Sequence, residues 1–186
     1  RGAGELLGED QSGNMQPIGF SLYIEMLDEA VTAIREGRTP DFDQTESAHA
    51  EVDLKIPALI PNDYLNDVPL RLELYKRISS AASEELLSEI EIEMIDRFGL
   101  LPPQVKNLFQ QAKVRLLAEA LGIKQITLGP QSGRIEFREK TKVDPMVLIS
   151  LVQSKAHEYK LDRATALKVI RETVGTEARL TFIHEV

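Results

Sequence analysis

Hydrophobic and polar positions change period several times along this 186-residue chain, and each change marks an element. The longest coherent stretch is Ser83–Leu121. Glu89–Asp96 alternates Glu and Ile as EIEI before continuing EMID, which read locally is a period-2 strand signal. Over a wider window a helix accounts for it better. At about 100° per residue, Leu86, Leu87, Ile90 and Met94 fall on one side with Phe98 extending it, and Glu85, Glu89, Glu93 and Asp96 gather opposite as an acidic stripe. Gly99 is placed to stop this helix. Pro103 can open a second one at N1, where its missing N–H costs nothing. The second helix is expected to bury Val105, Leu108, Phe109, Ala112, Leu116 and Ala120 and to end at Gly122. The two make an antiparallel helical hairpin, expected to be the scaffold.

Around the hairpin the pattern predicts a loop over residues 1–16 and an amphipathic helix from Pro17 to Gly37. That helix has Ile18, Leu22, Met26, Ala30, Ala33 and Ile34 on one face. Residues 38–50, polar and marked by Thr39-Pro40, read as a linker. Glu51–Ile56 alternates as a strand with Val52, Leu54 and Ile56 inward. Pro69–Ala81 is a helix through Leu70, Leu74, Ile78 and Ala81. Past Gly122 the period returns to 2, so Ile123–Leu128 and Arg134–Arg138 form a β-hairpin across Gly129–Gly133. Asp144-Pro145 starts a helix through Val152, Tyr159–Leu161 and Ala166–Ile170 are short strands, and Thr176–Val186 leans towards helix. The sum is an α+β fold: a helical hairpin and further helices on a small mixed or antiparallel sheet, preceded by an N-terminal loop and amphipathic helix. The organisation is 1–37, a linker at 38–50 and a domain at 51–186.

Composition narrows the function. Hydrophobic residues make up 42% and charged residues 28%, ordinary for a globular domain. No apolar run approaches the roughly 18 residues of a membrane span. No signal peptide opens the chain, and the absence of cysteine excludes disulfides and thiolate metal sites, consistent with a cytoplasmic setting. The chain begins at Arg1 without an initiator Met, which suggests a piece of something longer. The net charge of −8 is uneven: residues 1–98 carry 8 basic and 21 acidic side chains, residues 99–186 carry 14 and 9. Such an acidic chain is a poor non-specific nucleic-acid binder, and the asymmetry suggests an acidic face for a basic partner, or two halves that attract.

Catalytic chemistry is scarce. There is no Walker A loop, zinc-protease helix, nucleophile elbow or EF-hand loop. Gly2, Gly4 and Gly8 lack the strand and spacing of a phosphate cradle. His49, His157 and His184 are far apart, with no ligand spacing. No metal or catalytic site is assigned. The acidic stripe remains, as a solvated face or as a docking surface for Arg and Lys.

Three segments carry a resemblance. RGAGELLGEDQSG at 1–13, followed by IGFSLYIEMLDEAV, resembles a motif shared by the transcription-repair coupling factors and a related branch-migration translocase. PNDYLNDVPLRLELYKRI at 61–78 and EIEMIDRFGLLPPQV at 91–105 are more selective, and resemble the C-terminal domain of bacterial transcription-repair coupling factors. The resemblance covers essentially the whole chain. It implies a parent that is an ATP- and Mg-dependent double-stranded-DNA translocase, which displaces stalled RNA polymerase and recruits the excision-repair protein UvrA. The ATP-binding lobe is not in this chain, so the resemblance implies no enzyme and no cofactor here. It implies instead the tail of a translocation motif, with Arg1 and Gln11 at coupling positions, and a monomeric regulatory domain that masks the parent's UvrA-binding module. Glu89, Glu93 and Asp96, with Glu85, would make that intramolecular contact. The alternative is a DNA-contacting module using Lys106, Lys113, Arg115, Lys124, Arg134, Arg138, Lys140 and Lys142.

Overall fold

The structure, a computed structural model, describes residues 30–37, 49–162 and 165–185. Helix α1 is described over 30–36. Then follow β1 (Glu51–Asp53), α2 (Val68–Ser80), α3 (Glu84–Phe98), α4 (Pro103–Leu121), β2 (Ile123–Leu128), β3 (Gly133–Phe137), α5 (Pro145–Ser154), β4 (Tyr159–Leu161), β5 (Ala166–Val169) and α6 (Thr176–Glu185). The architecture is α+β.

Local chemistry sets the boundaries. The Asp67 carboxylate accepts the Leu70 N–H at 2.9 Å and Asp144 the Met146 N–H at 2.8 Å, capping α2 and α5, each with proline in its first turn. Gly122 ends α4 in the left-handed region (φ 71°), and a β-carbon there would lie 2.8 Å from Thr141 Cα, so both conformation and space require glycine. β1 stops at Asp53, short of the expected Ile56. The Asp53 carboxylate accepts the Lys55 N–H at 2.9 Å, and Lys55 turns to φ 52°, outside any strand conformation. Leu54 is nevertheless fully buried.

The five strands form one mixed sheet in the order β1-β2-β3-β5-β4. β1 runs parallel to β2, with Val52 opposite Ile126, and the other pairs are antiparallel. Three helices separate β1 from β2, as a parallel crossover requires. Two apolar cores result. Val52, Leu54, Ile126, Leu128, Ile135, Leu167 and Phe182 form one around the sheet. Ile60, Leu74, Ile78, Leu87, Ile90, Met94 and Phe109 form the other among α2, α3 and α4. α4 supplies Val105, Leu108, Phe109 and Ala112 to the helical core and Val114 and Ala118 to the sheet core, so it joins the two.

Three side chains expected inward are not, Ala120 in the last turn of α4 being exposed along with Leu86 and Ile34. Leu86 is 44% exposed: it lies about 70° around α3 from the Leu87–Ile90–Met94 stripe, too far to reach α4. Ile34 on α1 is 74% exposed while its neighbour Ala33 is fully buried. The rest of the expected 17–37 helix, residues 1–16 and most of the 38–50 stretch lie outside the described residues.

Candidate docking face

Helix α3 carries the predicted acidic residues, and the alternating EIEI run within it is helical throughout. Ser83 caps it, its hydroxyl accepting the Leu86 N–H at 3.4 Å, and Glu84 and Glu85 occupy the first turn, where the helix dipole favours negative charge. The Glu85 N–H and the Ser83 hydroxyl hold the Glu85 carboxyl below its ordinary range. At the far end Gly99 leaves the helix at φ 89°, its N–H donating to the Ile95 carbonyl at 2.9 Å. The Tyr64 hydroxyl donates to the Gly99 carbonyl at 3.0 Å, and its ring meets Phe98 edge-on at 6.2 Å. These contacts fix both ends of α3 and turn Leu87, Ile90 and Met94 into the core.

The four acidic residues divide into two kinds. Glu93 borders the buried stripe and is clamped. Arg77 of α2 donates through Nη1 at 3.2 Å and Nη2 at 2.6 Å, and Arg97, one turn on, adds a bond at 2.7 Å. The hydrogen bonds from Arg77 and then Arg97 lower the Glu93 carboxyl to about 2. Glu85, Glu89 and Asp96 are exposed and, among the described residues, form no ion pair. Beside them Ile92 is 59% and Ile95 38% exposed. The open face is thus a short acidic row flanked by isoleucine, held on α2 by Glu93. Because folding lowers the Glu93 pKa, its contribution is complete above the unfolded value of about 4.5 and is lost as pH falls towards 2. Glu93→Gln is expected to cost roughly 1 kcal/mol at neutral pH, discounted for solvent screening. The gap from wild type closes between pH 5 and 2, which thermal melts across that range would check.

Arg1 and Gln11 lie outside the described residues. Burial corrects the basic set: Arg115 is only 3% exposed, so it cannot meet DNA. Its Nη2 donates to the Ala81 carbonyl at 2.6 Å and its Nη1 to Glu119 at 2.8 Å. Arg134 bonds Glu136 at 2.8 Å and also Asp162. Sequence reasoning missed a second buried cation, Arg179, although Arg115 at least had a signal. It sits on the apolar stripe of α4, three residues from both Ala112 and Ala118, with Glu119 at i+4. The three histidines do not converge. His49 Nδ1 lies 3.0 Å from Glu119, His157 Nε2 3.5 Å from Glu158, and His184 borders an apolar cavity. Among the described residues no group of acidic or histidine side chains could hold a metal ion. No described helix is long and apolar enough to cross a membrane.

Residues 54–148, from the end of β1 into α5, match the TRCF domain. The chain is 46% identical over 183 residues to the transcription-repair-coupling factor of Haemophilus influenzae, and 46% identical over 185 residues to that of Escherichia coli. The chain belongs to the transcription-repair coupling factor family. The coupling factor of Bacillus subtilis is 34% identical over 96% of the chain. These alignments take in nearly all of the chain but only 16% of the H. influenzae and E. coli coupling factors, so it corresponds to about a sixth of such a protein. The fold is also that of a solved C-terminal domain of a transcription-repair coupling factor, with a TM-score of 0.58 at 21% identity over 73% of this chain and 90% of that one.

Proposed function

We propose that this chain is a non-catalytic regulatory module of a transcription-repair coupling factor. Its α3 face docks on basic residues of the UvrA-binding module of the same parent and masks it. The parent, in this reading, is an ATP- and Mg-dependent translocase on double-stranded DNA that displaces stalled RNA polymerase and recruits UvrA. The observation that carries the docking step is the row Glu85, Glu89 and Asp96, exposed on a helix whose two ends and the stripe's fourth acid, Glu93, are fixed. A rigid, pre-formed charged face loses little entropy on binding, and complementary charge sets partner choice and association rate. Glu93 takes a different part from its neighbours: its charge is spent on Arg77 and Arg97, so it orients the face.

The test is a titration of this chain against the isolated UvrA-binding module at two salt concentrations. Wild type is expected to bind more weakly at the higher salt. Glu89→Lys/Asp96→Lys is expected to bind at least tenfold more weakly with its melting temperature unchanged, since both side chains are exposed. Binding that survives the double reversal would move the contact off α3. No binding by wild type would overturn the masking reading.

A further inference from the structure

Helix α5 contains no charged residue, carries six apolar side chains in PMVLISLVQS, and buries none of them fully. Met146 is 66%, Val147 59% and Ile149 40% exposed. Across from it, Leu117 and Leu121, one turn apart on α4, are 47% and 46% exposed. Between the two helices lies an open cavity of about 230 Å³, walled by Leu117, Leu121, Val147 and Leu151 and floored by Phe137 and neighbouring sheet residues. A helix this apolar is ordinarily buried, and a contiguous exposed apolar patch marks an interaction site.

Lysines stand at both ends of the groove. Lys113 continues the Leu117–Leu121 row of α4 by one turn. At the other end Lys142 donates its N–H to the Leu121 carbonyl at 2.9 Å, which places exposed Lys140 and Lys142 at the mouth. Of the nearby acids, Asp144 caps α5 and Glu185 lies 3.7 Å from Arg171, while exposed Glu139 adjoins Lys140 and leaves the three lysines in excess over it. Along α4 the lining runs from Val114 to Leu121, about 10 Å or two helical turns.

We infer that the α4–α5 groove receives an amphipathic helix of a partner protein, its apolar stripe against Leu117, Leu121, Val147 and Leu151 and its acidic flanks on Lys113, Lys140 and Lys142. A helix presents apolar residues at i, i+3/i+4 and i+7 in one line, which suits an apolar groove walled by α4 and α5 and edged by Ile183 of α6. The site is separate from the α3 face and stands or falls independently of it.

The experiment is methyl NMR on the full chain, titrated with a synthetic 18-residue peptide carrying Leu at helical spacing and Glu elsewhere. The controls are a permuted peptide and a version with Lys in place of Glu. The expected result is saturable shifts at the Leu117, Leu121, Val147 and Leu151 methyls, and binding at least tenfold weaker for the Lys version. Lys140→Glu/Lys142→Glu and Leu117→Glu/Val147→Glu, all at exposed positions, are expected to weaken the acidic peptide at least tenfold while keeping the wild-type circular dichroism. The inference is overturned by equal binding of the Lys and Glu peptides, or by an absence of shifts at the groove. It is equally overturned if the free chain sediments as a dimer through these residues, or shows Ile18, Leu22 or Met26 already seated there.

Discussion

Arg179→Met is expected to lower the stability of the domain by about 3 kcal/mol, a fall of roughly 6–12 °C in Tm for a chain of this size. Arg179 is 8% exposed, and its guanidinium joins segments far apart in sequence. Its Nε donates to the Thr173 carbonyl at 3.0 Å, and its Nη1 to the carbonyls of Leu54 at 3.2 Å and Lys55 at 2.5 Å. Thr173 is in turn tied to the β2–β3 turn, its N–H donating to the Pro130 carbonyl and its hydroxyl to that of Gly129. One side chain therefore fastens α6 to the irregular end of β1, where Lys55 sits at φ 52° and the carbonyls leave the ladder. Methionine keeps much of the apolar contact but leaves those carbonyls unpaired, and an unsatisfied buried acceptor costs more than the bond it replaces gains. Arg179→Lys, with one short donor group, is expected to fall between methionine and wild type. Thermal melts of the three proteins check the order. Methionine matching wild type would mean that desolvation of the guanidinium offsets its bonds.

The contrast between Arg179 and the elements it joins shows what was legible beforehand. Helix and strand boundaries follow from local chemistry, so Asp144 before Pro145, Gly99, Gly122 and the Gly129–Gly133 turn could be read directly. EIEI within α3 was resolved by a longer window, because the buried stripe Leu87–Ile90–Met94 has helical period. The pairing of β1 parallel to β2 was not legible. It joins residues more than seventy positions apart, and a three-residue strand carries no register signal of its own. Arg179 was invisible for the same reason, since its acceptors are backbone carbonyls, which every sequence has.

The docking face divides along the same line. Periodicity alone placed Glu85, Glu89, Glu93 and Asp96 together on α3. It could not show that Arg77, sixteen residues earlier on a different helix, reaches Glu93 and takes it out of the open row. Stability and recognition thus share one stripe. Glu93 holds α3 to α2, and its neighbours stay exposed because the clamp satisfies only the residue nearest the core.

The second large effect is expected at Arg115, and it separates a structural cation from a nucleic-acid contact. Arg115→Met should cost about 3 kcal/mol, whereas loss of an exposed cation would fall within about 0.5 kcal/mol. The Glu119 carboxylate Oε1 is the hub. It accepts Arg115 Nη1 at 2.8 Å and the Ala50 N–H at 3.1 Å, and His49 Nδ1 lies 3.0 Å away. Arg115 Nη2 meanwhile holds the carbonyl at the end of α2, Ala81, at 2.6 Å. The node thereby links α4, the last turn of α2 and the point where the chain enters β1. With Arg115 gone, the Ala81 carbonyl loses its donor and Glu119 keeps only the contacts from residues 49 and 50. Faster hydrogen exchange at the Ala50 amide should accompany the lower Tm. A double-mutant cycle with Glu119→Gln is the decisive measurement, because groups acting as one node couple by about 0.5–3 kcal/mol while independent ones add. Coupling within that range, together with unchanged DNA affinity in Arg115→Met, would establish Arg115 as the fastening of the two cores. Additive losses would reduce it to two separate contacts that happen to share a helix.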